Sequence, residues 1–283
     1  MEYGRLWRAF CCNKGALGSL IFLVALTTVA LFAPWFSPYD PAQVFSGLFH
    51  TPPFWMEGGR PEFILGTDDI GRDILSRLIY GARVSFGVGL MVVTLTLAVG
   101  SFLGLVAGYF GGWVDSVILR AVDVLMSLPS ILLAIVVVAI LGPSLTNAVV
   151  AVSIVALPSF IRIVRASVLA EKSKPYVDAT ISFGAGHLRI AVKNILPNCL
   201  APIIIQSTLG FSDGILNMAA LGFLGLGAQP PVPEWGVMLS DARSYIESSW
   251  WLVTLPGLCI LIVVLCFNLL GDGLRDALDP KLK

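Results

Sequence analysis

Six stretches of the chain carry no charged residue: 15–39, 84–114, 124–161, 194–212, 214–233 and 248–271. A bilayer core about 30 Å thick is crossed by a helix of roughly 20 apolar residues. The run 124–161 is too long for one such helix. Gly142-Pro143 interrupts it, and a proline removes a backbone donor and restricts the residue before it. Two spans joined by a tight external turn are predicted there. The runs 194–212 and 214–233 behave oppositely. Asp213 separates them, and Gly222, Gly225, Gly227 and Pro230-Pro231 argue against a second regular helix. One span and then an external loop are expected. The pattern predicts an all-α integral membrane protein with six transmembrane helices.

Composition agrees with this picture. Charged residues make up 13% of 283, against about 25% in soluble domains, and the mean hydropathy is +0.87. The formal net charge is zero, so no bulk field recruits nucleic acid. Arg5, Arg8 and Lys14 precede the first apolar run. That run exceeds the ~7–15 residues of a secretory signal core and lacks a clean cleavage site. It is read as a retained first span. With the N-terminus inside, Arg60, Arg72, Arg77, Arg83 and Arg243 fall outside and the remaining 13 of 18 basic residues fall inside. This obeys the positive-inside rule. A seventh span would put the basic C-terminus outside, so both termini are expected in the cytoplasm.

Chemistry of the catalytic or metal-binding kind finds little support. Cys11, Cys12, Cys199, Cys259 and Cys266 show no metal-ligand spacing and no even-numbered disulfide framework. His50 and His187 fall on opposite sides of the expected membrane. Gly184-Ala185-Gly186 suggests a phosphate loop, but such a loop needs a lysine directly after glycine. None of the six lysines follows one, so no ATP site is expected in this chain.

Packing and transport signals are richer. Gly100, Gly104, Gly108 and Gly112 recur every fourth residue, a stripe that lets another backbone approach closely. The partner is either a helix of this chain or a second subunit. Arg120 and Asp123, three apart, are expected to pair at the start of the third span. Asp213 lies far along the fifth span, where an isolated charge is expensive and is a candidate for the translocation path; the outer interface is the other reading. In Leu65–Ser85, Thr67 or Asp68 can cap a short interfacial helix whose apolar side is Ile70, Ile74, Leu75 and Leu78.

The polar segment YVDATISFGAGHLRIAVKNILPN, from Tyr176 to Asn198, lies between two apolar stretches. It resembles the cytoplasmic EAA loop of ABC-importer permeases. The matching residues are Asp178-Ala179-Thr180, Gly184 and Leu196-Pro197, with Pro197 13 positions after Gly184. Asp178, Thr180 and Asn194 depart from the usual Glu, Ala and Ile. The stretch G-T-D-x-x-G-R-D-x-x-S-R-x-x-Y-G-A-R-x-S from Gly66, the run Pro230–Gly236 and the tail from Phe267-Asn268 to Leu278-Asp279-Pro280 resemble the C-type permeases of the peptide and nickel importers. The likeness is nearest to those that carry dipeptides.

That resemblance implies a type I ABC importer permease architecture in the bacterial inner membrane. Residues 1–80 would hold the N-terminal tail, first span and periplasmic segment. Residues 81–283 would form the core, with a coupling loop at about 172–197. A short helix from Pro175 has the proline at a favoured start and Asp178 favouring the helix dipole. Its Tyr176, Val177, Ile181 and Phe183 are expected to dock on an ATPase. Gly184 turns the chain where a side chain would clash or φ is positive. The implied partners are a homologous second permease, two ATP-binding subunits holding ATP and magnesium, a periplasmic or lipid-anchored peptide-binding protein and the lipid membrane; no nucleic acid and no cofactor of this chain's own are expected. Nickel or longer oligopeptides remain alternative cargoes. An ATP-independent secondary transporter is the rival class, expected to show internal repeats, and no clear repeat is visible.

Overall fold

The computed structural model describes residues 7–8 and 10–278. Arg5, Lys281, Lys283 and the Asp279-Pro280 end of the tail motif lie outside them. The principal helices are α1 (Lys14–Leu31), α2 (Ile74–Phe110), α3 (Gly112–Met126), α4 (Ser130–Leu141), α5 (Leu145–Lys172), α6 (Pro175–Ser182), α7 (Leu200–Phe223), α8 (Trp235–Ala242) and α9 (Trp251–Leu278). α1, α2, α5, α9 and the continuous helical stretch His187–Phe223 are each long and apolar enough to cross a membrane. α3 and α4 meet at a 92° bend and count as a sixth span only as a broken one.

The expected third span is corrected by that bend. α4 has 12 residues, about 18 Å of helical rise, well short of the hydrocarbon thickness. Pro129 makes the break, because it lacks an amide hydrogen and steers Leu128 away from helical geometry. The turn at Gly142 forms as expected. Gly142 takes φ +90°, and the Asn147 side chain donates to the carbonyls of Leu141 (2.9 Å) and Gly142 (3.0 Å).

α2 and α5 share the most extensive helix–helix contact among the described residues. Glycine makes it close. A Cβ on Gly100 would lie 2.6 Å from Phe160 Cβ; one on Gly104, 2.7 Å from Val164 Cβ; one on Gly108, 2.8 Å from Val168 Cβ. The partner of these three residues is therefore a helix of this chain. Gly112 leaves the stripe: it opens α3 at φ +55° and a Cβ there would meet nothing within 4 Å. Near α3, Asp115 pairs with Arg165 (2.5 and 2.6 Å) and Asp123 with Arg162 (2.7 Å). This corrects the expected Arg120–Asp123 pair. α5 offers Asp123 a guanidinium across the helix interface, and Arg120 faces outward.

No short helix is capped by Thr67 or Asp68. Gly66 and Gly71 hold φ +84° and +87°, which breaks helical geometry. Instead Asp73 caps α2, accepting from the Ser76 amide (2.8 Å) and hydroxyl (2.6 Å), and α2 runs on unbroken into its span. Thr67 donates to the Leu48 carbonyl (2.5 Å). Asp68 binds Arg72 (2.6 Å) and Arg77 (3.0 Å), and both arginines reach toward Asp241 of α8 at 3.5 Å. Burial, as the largest cause, raises the Asp69 and Asp241 carboxyls above their ordinary range. Buried Trp235 donates to the Leu78 carbonyl (3.1 Å), and Glu234 caps α8 through the amides of Gly236 and Val237. The polar segment before α2 and α8 are thus joined by ion pairs and hydrogen bonds at one end of the molecule. α6 lies at the other.

Candidate functional site

The first candidate region is built around α6. Pro175 is its first residue and Asp178 stands in its first turn. Val177, expected at a docking face with its neighbours, is instead 1% exposed. It packs in a cluster with Val164 and Val168 of α5 and with Ile190, Ile195 and Cys199 beyond α6. An eight-residue amphipathic helix has one inward stripe, and Val177 fills it. Outward, Phe183 is 91% exposed, Leu188 79% and Ile181 51%, with Asp178 and Ala179 exposed beside them. Leu188 was not singled out by sequence reasoning, although a leucine two positions beyond two glycines in a polar loop was a usable signal.

Polar contacts tie α6 to the elements on either side. Glu171, 7% exposed near the end of α5, accepts from Lys174 Nζ (2.5 Å) and the Tyr176 hydroxyl (2.7 Å). Asn198 Nδ2 donates to that same hydroxyl (3.2 Å). Burial, and then the bond to Glu171, holds the Tyr176 phenol above its ordinary range, so it remains a donor. Two departures from the EAA pattern meet here: Asn194 Nδ2 donates to Thr180 Oγ1 (3.4 Å). Tyr109 at the end of α2 hydrogen-bonds His187 (2.9 Å), and Lys172 Nζ donates to the Tyr109 carbonyl (2.6 Å). Nothing in the spacing of the sequence announced either contact.

Gly184 ends α6 at φ +75°, and a Cβ there would meet nothing within 4 Å. Its requirement is conformational, not steric crowding. After it, Ile190–Ile195 form a π-helix and Leu196–Cys199 a 3₁₀ turn before α7 begins. Pro197 explains the irregularity: it has no amide hydrogen for an α-helical bond to Lys193, and its ring would clash with that carbonyl. Leu196 is half-buried against the Val177 cluster and Pro197 is exposed. The segment is therefore helical throughout yet irregular where it joins the span.

The second candidate region surrounds Asp213, the fourteenth residue of the 24 in α7. It lies about 20 Å of helical rise from Leu200 and about 15 Å from Phe223. Depth within the helix, not its outer end, is where the structure puts it. A groove of about 300 Å³ opens there, lined in part by Ser130, Ser159, Phe160, Gln206, Asp213 and Asn217. Gln206, Asp213 and Asn217 fall on one helix face by their spacings of seven and four; that spacing was legible in the sequence and went unread. The Asp213 carboxylate has no ion-pair or hydrogen-bond partner among the described residues, while Asn217 Nδ2 donates to the Asp213 backbone carbonyl (2.8 Å).

A bundle of apolar spans, an outward apolar ridge on and after a short polar-loop helix, and an exposed carboxylate bordering a groove midway along a span define a membrane-embedded transport subunit. Residues 100–283 match the family described as "Binding-protein-dependent transport system inner membrane component", and the chain belongs to that family, the inner-membrane permeases of ABC importers. Residues 3–53 match the "N-terminal TM domain of oligopeptide transport permease C". The chain is 58% identical over 277 residues to the dipeptide transport system permease protein DppC of Escherichia coli K12, covering 98% of this chain and 92% of that one. It is 56% identical to the di/tripeptide transport system permease protein DppC of Pseudomonas aeruginosa, covering 98% and 91%. It is 43% identical to the glutathione transport system permease protein GsiD of Pectobacterium atrosepticum, covering 98% and 90%. Its fold is that of the MetNI methionine ABC transporter in an inward-facing state, with TM-score 0.58 and 19% identity over 73% of this chain and 98% of that one.

Proposed function

We propose that this permease carries dipeptides and similarly short peptides across the bacterial inner membrane, with α6 as the element through which ATP hydrolysis drives it. The observation that carries the reading is the division of α6 and the turn that follows it into two faces. Val177 and the Glu171–Tyr176 contact anchor it to the bundle, while Ile181, Phe183 and Leu188 are left bare. A ridge of exposed apolar side chains flanked by polar residues is the form of a protein-docking site. Its occupant in this reading is an ATP-binding subunit in the cytoplasm, so both termini are cytoplasmic too.

Tyr176, Asp178, Ala179, Thr180, Gly184, Leu196 and Pro197 then form the coupling segment, with Val177 as its inward anchor. ATP and magnesium belong to two partner ATPases; a second homologous permease completes the pathway and an external peptide-binding protein delivers cargo. The split into residues 1–80 and a core of 81–283 follows the same reading. Peptides are favoured over nickel because, among the described residues, the groove at Asp213 has no His or Cys in its lining, and imidazole nitrogen is a ligand that suits nickel.

Single cysteines test the orientation in sealed cells. An impermeant thiol reagent is expected to label positions 229 and 57 and not position 174. External labelling at 174 would overturn both the orientation and ATPase docking at α6. The purified chain without partners is expected to show no ATP hydrolysis.

A further inference from the structure

We propose that Asp213 is where this subunit receives a positively charged group of its cargo, the free α-ammonium of a short peptide. The proposal rests on the peptide-permease reading above and assigns a chemical role within it. Three observations carry it. The carboxylate lies well inside a helix long and apolar enough to span the membrane, where an unpaired charge facing lipid is strongly disfavoured. It is exposed in this chain and borders a groove of mixed polar and apolar lining, about 300 Å³ in volume, at the small end of the roughly 300–1,000 Å³ range of ligand sites. Finally, all but one of the groove's polar side chains are uncommitted, the exception being Asn217, whose amide donates to the Asp213 backbone carbonyl. Among the described residues, the Ser130, Ser159 and Gln206 side chains make no hydrogen bond, and neither does the Asp213 carboxylate.

The sign of the charge selects the ligand group. Among the described residues no Lys or Arg lines the groove, so a peptide carboxylate finds no cation there, whereas an ammonium finds an acceptor with two oxygens. Gln206 and Asn217 flank Asp213 on the same face of α7 and carry both donors and acceptors suited to a peptide bond. The Phe160 ring stands 2.9 Å from where a Cβ of Gly210 would be, so glycine at 210 lets the aromatic ring form the floor of the groove. The arrangement reads the one cation that every unblocked peptide possesses and leaves the side chains unread.

The test uses the complete transporter reconstituted with its binding protein and a neutral, unblocked dipeptide. Asp213→Asn is expected to lower uptake at saturating binding protein about tenfold or more, the loss that follows removal of a charge-assisted hydrogen bond. Subunit co-purification is expected to stay normal, and Asp213→Glu to recover much of the uptake. Wild-type uptake by Asp213→Asn would overturn the proposal. Loss of the second permease from purified Asp213→Asn complexes would also overturn it, making Asp213 a subunit-pairing residue.

A second measurement does not depend on that variant. Asp213→Cys in the assembled complex is expected to react with a small hydrophilic thiol reagent above the level of the parent chain, and saturating dipeptide with ATP is expected to slow the reaction. Absence of reaction, or reaction that cargo does not slow, would overturn the assignment. Failure of the wild-type complex to import any dipeptide would instead sink the underlying functional reading.

Discussion

At the scale of single residues, Gly184 and Val177 separate two kinds of requirement that the loop sequence presents together. Gly184 needs only its backbone conformation, since φ is +75° and the space around it is open. Asparagine visits that region at modest cost, whereas a β-branched residue is a genuine outlier there. Gly184→Asn is therefore expected to keep most peptide-stimulated ATP hydrolysis and Gly184→Val to lose most of it, both at normal membrane insertion. Equal activity of the two variants would show that the left-handed turn is dispensable. Val177 needs volume. Val177→Ala removes two buried methyl groups at a cost of about 1–3 kcal/mol, and a thermal shift of the purified complex should register it. The glycine was readable from its spacing to Pro197. The inward face of Val177 was not, because a helix of eight residues has too few turns for its apolar positions to declare one side.

At the scale of elements, the α2–α5 contact and α6 make contrasting demands. A side chain at Gly104 would press on Val164 Cβ and the Ile161 carbonyl together, and backbone cannot step aside. Gly104→Leu is expected to destabilise by more than the ~1–3 kcal/mol of ordinary overpacking, seen as sharply lower yield of detergent-solubilised protein; Gly87→Ala, in open space on the same helix, should leave the yield unchanged. Phe183→Asp with Leu188→Asp is expected to release the ATPase subunits on purification while the permease pair survives. Retention of the ATPases would move docking away from α6. The stripe of glycines showed in the sequence that something comes close, but four-residue spacing names no partner. Pro129 held the information for the bend between α3 and α4, overshadowed by the stronger Gly142-Pro143 signal. The contacts of Tyr176 with Glu171 and Asn198 join residues up to 22 positions apart. No local pattern encodes them.

At the scale of the whole molecule, the glycine contact has a mechanical consequence. Two helices of 37 and 28 residues, pressed backbone to backbone at three successive turns, behave as a single stiff beam about 40–55 Å long. The Val177 cluster rests on one end of that beam through Val164 and Val168, and Phe160 touches α7 at Gly210 nearer its middle. Spin labels on α2 and α5 are expected to keep their separation through the nucleotide cycle, while labels on α5 and α7 change theirs; a variable α2–α5 distance would refute the beam. A beam of this stiffness does not bend to pass a push along. A unit that tilts about its middle would act like a see-saw, so a shove at one end would lift the other, and opening to one side of the membrane would be the same motion as closing to its opposite.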